Sequence, residues 1–291
     1  MIVNKYEIGE EIARGSFGCI LKGIYVKKQE PVAIKIEYGD MKSLKHEVKI
    51  MNFLSMAGVK KIPSIYWYGI HNENPCLIFT LYECSLFDYM KNKVITLEKM
   101  NVLMIKAIDI IGHIHEKMVL HRDIKPQNFM IKGGDIFLID FGLATFYIDE
   151  TGEHYPDKMS DSIIGTPKFV SINVHMGHRY SRRDDMISLG YMYVYMILGS
   201  APWFEANISI NNEGGNEGGN EGGNEGGNEN DKTNPLHINY YMNQMLRRNK
   251  QYDMFSKYTK NIICIDRYIQ YMYALNYLDK PKYTPLTTLF F

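Results

Sequence analysis

No stretch of this chain is long and apolar enough to span a bilayer. The most apolar one, Met186 to Leu198, is short and carries tyrosines, so it reads as a buried core helix. A net charge is missing too. Lys plus Arg and Asp plus Glu each number 33, and no whole-chain field draws the protein to nucleic acid or a membrane surface. Cysteine is scarce: Cys19, Cys76, Cys84 and Cys264 stand apart without a CxxC or Cys/His pairing. That excludes a disulfide or zinc framework and reads as reduced thiols, so an intracellular, cytoplasmic protein is expected. The N-terminus, MIVNKYEIGEE, has no basic segment leading into an apolar run, so no secretory signal is expected. What is plentiful is Lys, Asn, Ile and Tyr, as AT-rich coding would produce. A length of 291 residues suits one large domain or two lobes sharing a cleft.

The informative stretch is His121 to Gly142, HRDIKPQNFMIKGGDIFLIDFG. It places an Asp, a Lys two residues on, an Asn three further, then a short strand ending in Asp-Phe-Gly. Each part alone fits a solvated loop before a buried strand; the ordered set suits phosphoryl transfer. Asp123 would accept the proton of a substrate hydroxyl, and Lys125 would steady the γ-phosphate of ATP. Asn128 and Asp140 would hold the Mg2+ ions that neutralise the triphosphate. The segment resembles the catalytic core of a protein kinase.

The residues before it fit the same scheme. Tyr6 to Ile12 and Cys19 to Val26 are β-branched and aromatic on either side of ARGSFG, a strand–loop–strand hairpin. Gly15 and Gly18 would let backbone N–H groups approach the phosphates, with Ser16 in the turn and Phe17 shielding the tip. Against the kinase pattern GxGxxGxV, Ala13 replaces the first glycine and Ile20 the valine; Ile12 precedes the loop. Val32 to Lys35 is a second signature, VAIK, whose Ala33 would lie against the nucleotide. Lys35 needs an acidic partner, and Glu47 supplies one. It lies beside the apolar face Leu44, Val48, Met51, Leu54 of a helix expected over Asp40 to Ser55. Ile65 to Gly69 and Cys76 to Leu81 read as further strands. Phe79 would narrow the pocket behind the base, while Thr80 and Tyr82 lie in the connector that would meet the adenine edge.

Leu97 to Lys117 has a stripe of Met100, Met104, Ala107, Ile111, Ile114 and Met118, an amphipathic core helix. Leu143 to Ile164 would be the activation segment, and GTPKF follows, where Thr166 could bridge Asp123 and Lys125. Ser171 to Asn173, SIN, stands where most kinases have Ala-Pro-Glu, and SRRDD and GSAPW follow. These motifs resemble the casein kinase I family and its vaccinia-related relatives, as does LDKPKY near the end. The resemblance implies a bilobal α+β fold, a mostly β N-lobe over 1–82 and a mostly α C-lobe over 83–291. It implies ATP and Mg2+ as cofactors and Ser or Thr of protein substrates as acceptors. Lys168, where the family has Arg, would attract acidic or already phosphorylated sites, with Arg179 assisting. A monomer with no direct nucleic-acid or membrane partner is expected, without the C-terminal tail that several members carry. The alternative is a nucleotide-binding pseudokinase scaffold, suggested by Ala13 alone.

Asn-Glu-Gly-Gly repeats four times from Asn212. With nothing apolar to bury, it cannot offset its ordering entropy, so a flexible acidic loop at about 207–232 is expected. Repeat and composition would fit a large DNA virus or a protist, in the host cytoplasm or virion if viral.

Overall fold

The computed structural model describes residues 2, 4–15, 18–39, 43–92, 95–160, 162–205 and 243–291. Ser16, Phe17 and the repeat expected at 207–232 lie outside the described residues. The first third is an antiparallel five-stranded sheet of order β1-β2-β3-β5-β4. Its strands are β1 (Tyr6–Gly15), β2 (Gly18–Tyr25), β3 (Glu30–Glu37), β4 (Ile65–His71) and β5 (Asn74–Thr80). Gly18 is obligatory there. A Cβ at that position would lie 2.1 Å from the carbonyl oxygen of Ile36, closer than any side chain can approach.

Helix α1 (Ser43–Met56) buries Leu44, Val48, Met51 and Leu54, the face its period requires, together with Glu47. The carboxylate of Glu37 at the end of β3 accepts the Leu44 N–H at 3.1 Å, which satisfies one of the first-turn donors.

The chain leaves the sheet at Thr80, and the Glu83 N–H donates to Ile131 O at 2.9 Å, pinning the connector to the helical part. Beyond it come β6 (Cys84–Ser85), α2 (Leu86–Asn92) and α3 (Leu97–Glu116), the last capped by the Thr96 hydroxyl. The stripe Met100, Met104, Ala107, Ile111 and Ile114 is buried. Met118 departs from it. The helix stops at Glu116, Met118 takes a left-handed φ of 58°, and its side chain is 41% exposed. Short strands β7 (Val119–Leu120), β8 (Phe129–Lys132), β9 (Asp135–Leu138) and β10 (Thr145–Phe146) carry the central segment, and α4 (Ile172–His175) follows. Helix α5 (Arg182–Leu198) begins at a capping box of Ser181 and Asp184 and is buried over most of its circumference. Trp203 is fully buried, with ring centroids of Tyr191 and Phe255 at 5.8 and 5.1 Å. Cys264 to Leu278 has the texture of a packed helix in the sequence, and the helix observed there is Ile263–Tyr273. It ends early because Asp279 closes a turn onto the Asn276 N–H at 2.7 Å. A helix runs through 243–249. Among the described residues none is long and apolar enough to cross a membrane.

Candidate active site

Asp123 and Lys125 follow β7, and Asn128 closes a 3-10 turn before β8, so one loop carries all three. The Lys125 ammonium is 2.6 Å from Asp123 Oδ2. The Thr166 hydroxyl donates to Asp123 Oδ1 at 2.7 Å, and the Thr166 N–H reaches the same oxygen at 3.0 Å. Lys125 in turn donates to the Thr166 hydroxyl at 3.0 Å, closing a three-membered set. Asn128 Nδ2 donates to the Asp123 carbonyl at 2.8 Å and to Oδ2 at 3.1 Å. Burial works to raise the Asp123 pKa, but Lys125 and Thr166 outweigh it and hold the carboxyl below its ordinary value.

The loop is held from beneath by Asp185 on α5. Its Oδ2 accepts the His121 N–H at 2.8 Å, and its Oδ1 accepts the Arg122 N–H at 2.8 Å. His115 Nε2 lies 2.9 Å from Oδ2 in a fully buried pair. These bonds keep Arg122 at a φ of 67°, a left-handed conformation that costs an L-residue about 1–2 kcal/mol. His121 Nδ1 accepts the Asp123 N–H at 3.3 Å, which leaves Nε2–H to donate to Ile139 O at 2.9 Å. Ile139 immediately precedes Asp140, so this imidazole ties the loop to the Asp-Phe-Gly turn. In the sequence His121 and Arg122 read as braces of the catalytic loop and Asp185 as the opening of the core helix. The three residues are joined by contacts that no local pattern announces.

Above the loop, Lys35 Nζ lies 2.7 Å from Glu47 Oε2 and 3.6 Å from Asp140 Oδ1. Burial lowers the Lys35 pKa, yet the Glu47 and Asp140 charges more than compensate and raise it. Burial pushes the Glu47 carboxyl up, and the Lys35 ammonium opposes this. A cavity of about 210 Å³ opens here. Of the expected nucleotide and metal residues, Ile20, Lys35, Glu47, Phe79, Asn128 and Asp140 line it. Ala33 is buried in register with Phe79, Ala13 pairs with Ile20, and Gly15 pairs with Gly18 at the hairpin end. Ile12 is half exposed on β1. Thr80 accepts the Ser64 N–H at 3.1 Å, and the Tyr82 ring packs on Phe137 with centroids 5.2 Å apart. Met51, Leu77 and Gln127 line the cavity too and were missed, although Met51 lies one helical turn beyond Glu47 and Leu77 two residues before Phe79. His46, beside Glu47 in the sequence, lacks the charge to pair with Lys35. It bonds Ala144 O at 2.7 Å and links α1 to the activation segment.

Toward the expected peptide side, the Lys168 ammonium lies over the rings of Tyr195 and Phe204, 5.3 and 5.2 Å from their centroids. Arg179 is placed elsewhere, over the Tyr155 ring at 4.3 Å. With Arg122, Lys158, Ser160 and Ser162 it lines a second cavity of about 330 Å³.

Among the described residues no cluster of three or more His, Cys, Asp or Glu could cage a metal. The oxygen donors of Asp140 and Asn128 at one cavity suit Mg2+ instead, which takes one or two protein oxygens and completes its shell with water and phosphate. The protein kinase domain family matches residues 6–269, nearly the whole chain. With its β-sheet N-terminal lobe, helical C-terminal lobe and this cleft between them, the chain belongs to the protein kinase family.

Proposed function

We propose that the protein transfers the γ-phosphate of ATP to Ser or Thr of protein substrates, with a casein kinase I-like preference for acidic or already phosphorylated sites. The observation that carries this reading is the closed set of Asp123, Thr166 and Lys125. As the substrate oxygen bonds to phosphorus and the bridging P–O bond of ATP breaks, the hydroxyl proton passes to an Asp123 carboxylate oxygen. The depressed pKa keeps that oxygen ionised at neutral pH. Lys125, beside it, meets the negative charge of the transferring phosphoryl group. Lys35, held by Glu47, orients the other phosphates. Asp140 and Asn128 would hold Mg2+, which supplies charge neutralisation along the triphosphate.

Ser/Thr rather than Tyr selectivity rests on Lys125 and Thr166 occupying the space beside Asp123, where a longer phenol would need room. The test is incubation with labelled ATP, Mg2+ and matched Ser, Thr and Tyr peptides in acidic, primed and basic contexts. Label on Ser and Thr, strongest in acidic or primed peptides, is expected. Nucleotide binding without any transfer would leave a scaffold role instead, and label on Tyr alone would sink the specificity.

A further inference from the structure

Lys250 has no exposed surface and, among the described residues, no carboxylate partner. It follows the helix through 243–249, and its ammonium points beneath the turn that begins at Thr166. Its Nζ lies 2.9 Å from Pro167 O, 2.6 Å from Val170 O and 3.2 Å from His175 Nε2. The partners of His175 assign its protons. Nδ1 lies 2.7 Å from Asn243 Oδ1, an acceptor, so Nδ1 carries the hydrogen; Nε2 stands 3.2 Å from both Pro167 O and Lys250 Nζ, and the ammonium, which can only donate, takes its lone pair. Burial and the Lys250 charge lower the His175 pKa to about 3, so the ring is neutral. Three acceptors therefore face the three N–H bonds of one ammonium, and the Tyr191 ring lies 4.8 Å away. Burial alone pushes the Lys250 pKa well down; an ammonium is kept there only by filling every donor.

The turn that Lys250 supports is the one that presents Thr166. Phe169 and Val170 donate their N–H groups to Thr166 O at 2.8 and 3.0 Å. On its other side Thr166 meets Asp123 and Lys125. Gly165 starts the turn at a φ of 102°, where a Cβ would lie 2.4 Å from Arg122 O. The turn is thus pressed against the catalytic loop above and bonded to Lys250 below. A buried lysine is an expensive way to satisfy two carbonyls, since an apolar side chain beneath a differently folded turn would avoid the desolvation.

We propose that Lys250 is a positioning residue for peptide phosphorylation: its ammonium, seated on His175, holds turn 166–170 in the shape that sets Thr166 on Asp123 and presents the adjoining backbone to a substrate peptide. This rests on the phosphotransferase reading above. It adds a second support to the site, one that acts on the peptide side and leaves the nucleotide side alone.

Steady-state kinetics of Lys250→Met, His175→Leu and His175→Gln test it, with amide hydrogen exchange of 168–170 as a readout that needs no activity. Lys250→Met should raise the peptide KM by about tenfold or more while the ATP KM stays within about twofold, and exchange at 168–170 should accelerate. His175→Leu, which removes one acceptor, should shift both readouts the same way by a smaller factor. His175→Gln, which restores an acceptor oxygen, should recover most of the loss. If Lys250→Met fails to fold, the His175 pair decides. An unchanged peptide KM with kcat reduced equally for both substrates would mean fewer folded molecules and overturn the proposal. So would a Gln variant no better than Leu, or unaltered exchange at 168–170. Wild-type protein that transfers no phosphate would sink the phosphotransferase reading, visibly and before any variant is made.

Discussion

Lys35 on the third strand meets Glu47 on the first helix at 2.7 Å, and Asp140 stands 3.6 Å from the same ammonium. Glu47 is buried, so removing its partner strands a carboxylate. Lys35→Met should cut kcat/KM for ATP by about a hundredfold or more, and destabilise the fold by up to about 3 kcal/mol. The pH dependence has a definite sign. Burial raises the folded-state pKa of Glu47 above its unfolded value, so the folded state binds the proton more tightly. Without Lys35 this shift grows, and the variant's stability deficit should widen as pH rises through that raised pKa. Urea melts of both proteins at pH 5 and 8 check this; an equal deficit at both pH values would contradict it.

Asp123 and Asp140 should fail by different routes. Asp123→Asn should lose at least two decades of kcat, about the scale of a general base, while still binding MgATP. Asp140→Asn should lose Mg2+-dependent nucleotide affinity as well. Titration of a fluorescent ATP analogue with and without Mg2+ separates them. More than about a tenth of the wild-type rate in either would refute that residue's assigned role.

Activation should not wait for a phosphate. Neither the Lys35–Glu47 pair nor the Asp123–Thr166–Lys125 set is bonded through Ser160 or Ser162, whose hydroxyls lie 2.9 Å from each other. Bacterially expressed, phosphatase-treated protein should therefore phosphorylate casein without a lag. A strict dependence on phosphate at Ser160 or Ser162 would show that the cavity lined by Arg122, Lys158 and Arg179 must first be filled.

Substrate preference should be modest. Lys168 is a point charge over two rings, without the bidentate fork of Arg, and Arg179 sits against Tyr155 rather than beside it. Lys168→Ala should reduce the acidic-to-basic peptide ratio of kcat/KM by about two- to fivefold, and added salt should reduce it further. Equal rates on both peptides, unchanged in the variant, would dispose of the idea.

Asp135 offers a stability test away from the chemistry. It pairs with Lys61, whose carbonyl accepts the Leu138 N–H at 3.0 Å, and with Lys106 on α3 at 3.0 Å. The Lys61 hydrogen bond outweighs burial and takes its pKa down to about 2. Its contribution is therefore full above about pH 4 and disappears as pH falls towards about 2. The side chain is 34% exposed, so screening limits the effect of Asp135→Asn to about 1 kcal/mol. Denaturant midpoints at pH 7 and pH 3 should show the gap narrowing in acid.

The sequence by itself determined the fold class. HRDxKxxN, a strand and DFG follow one another along the chain, and the apolar periods of the sheet strands, α1 and α3 are local, so both could be read without coordinates. Helix ends were less legible. Met118 continues the stripe by spacing alone, but the backbone has already turned left-handed beneath it. Tertiary structure alone decided which distant polar groups meet. Asp185 reaches the N–H groups of His121 and Arg122 across more than sixty residues, and Lys250 reaches Pro167 and Val170 across 83 and 80. A polar side chain inside a protein must find acceptors or donors wherever the packed backbone leaves them. Those positions exist only once the lobes have folded, and for that reason Lys250 and Asp185 look like an ordinary lysine and an ordinary helix-start carboxylate in the chain.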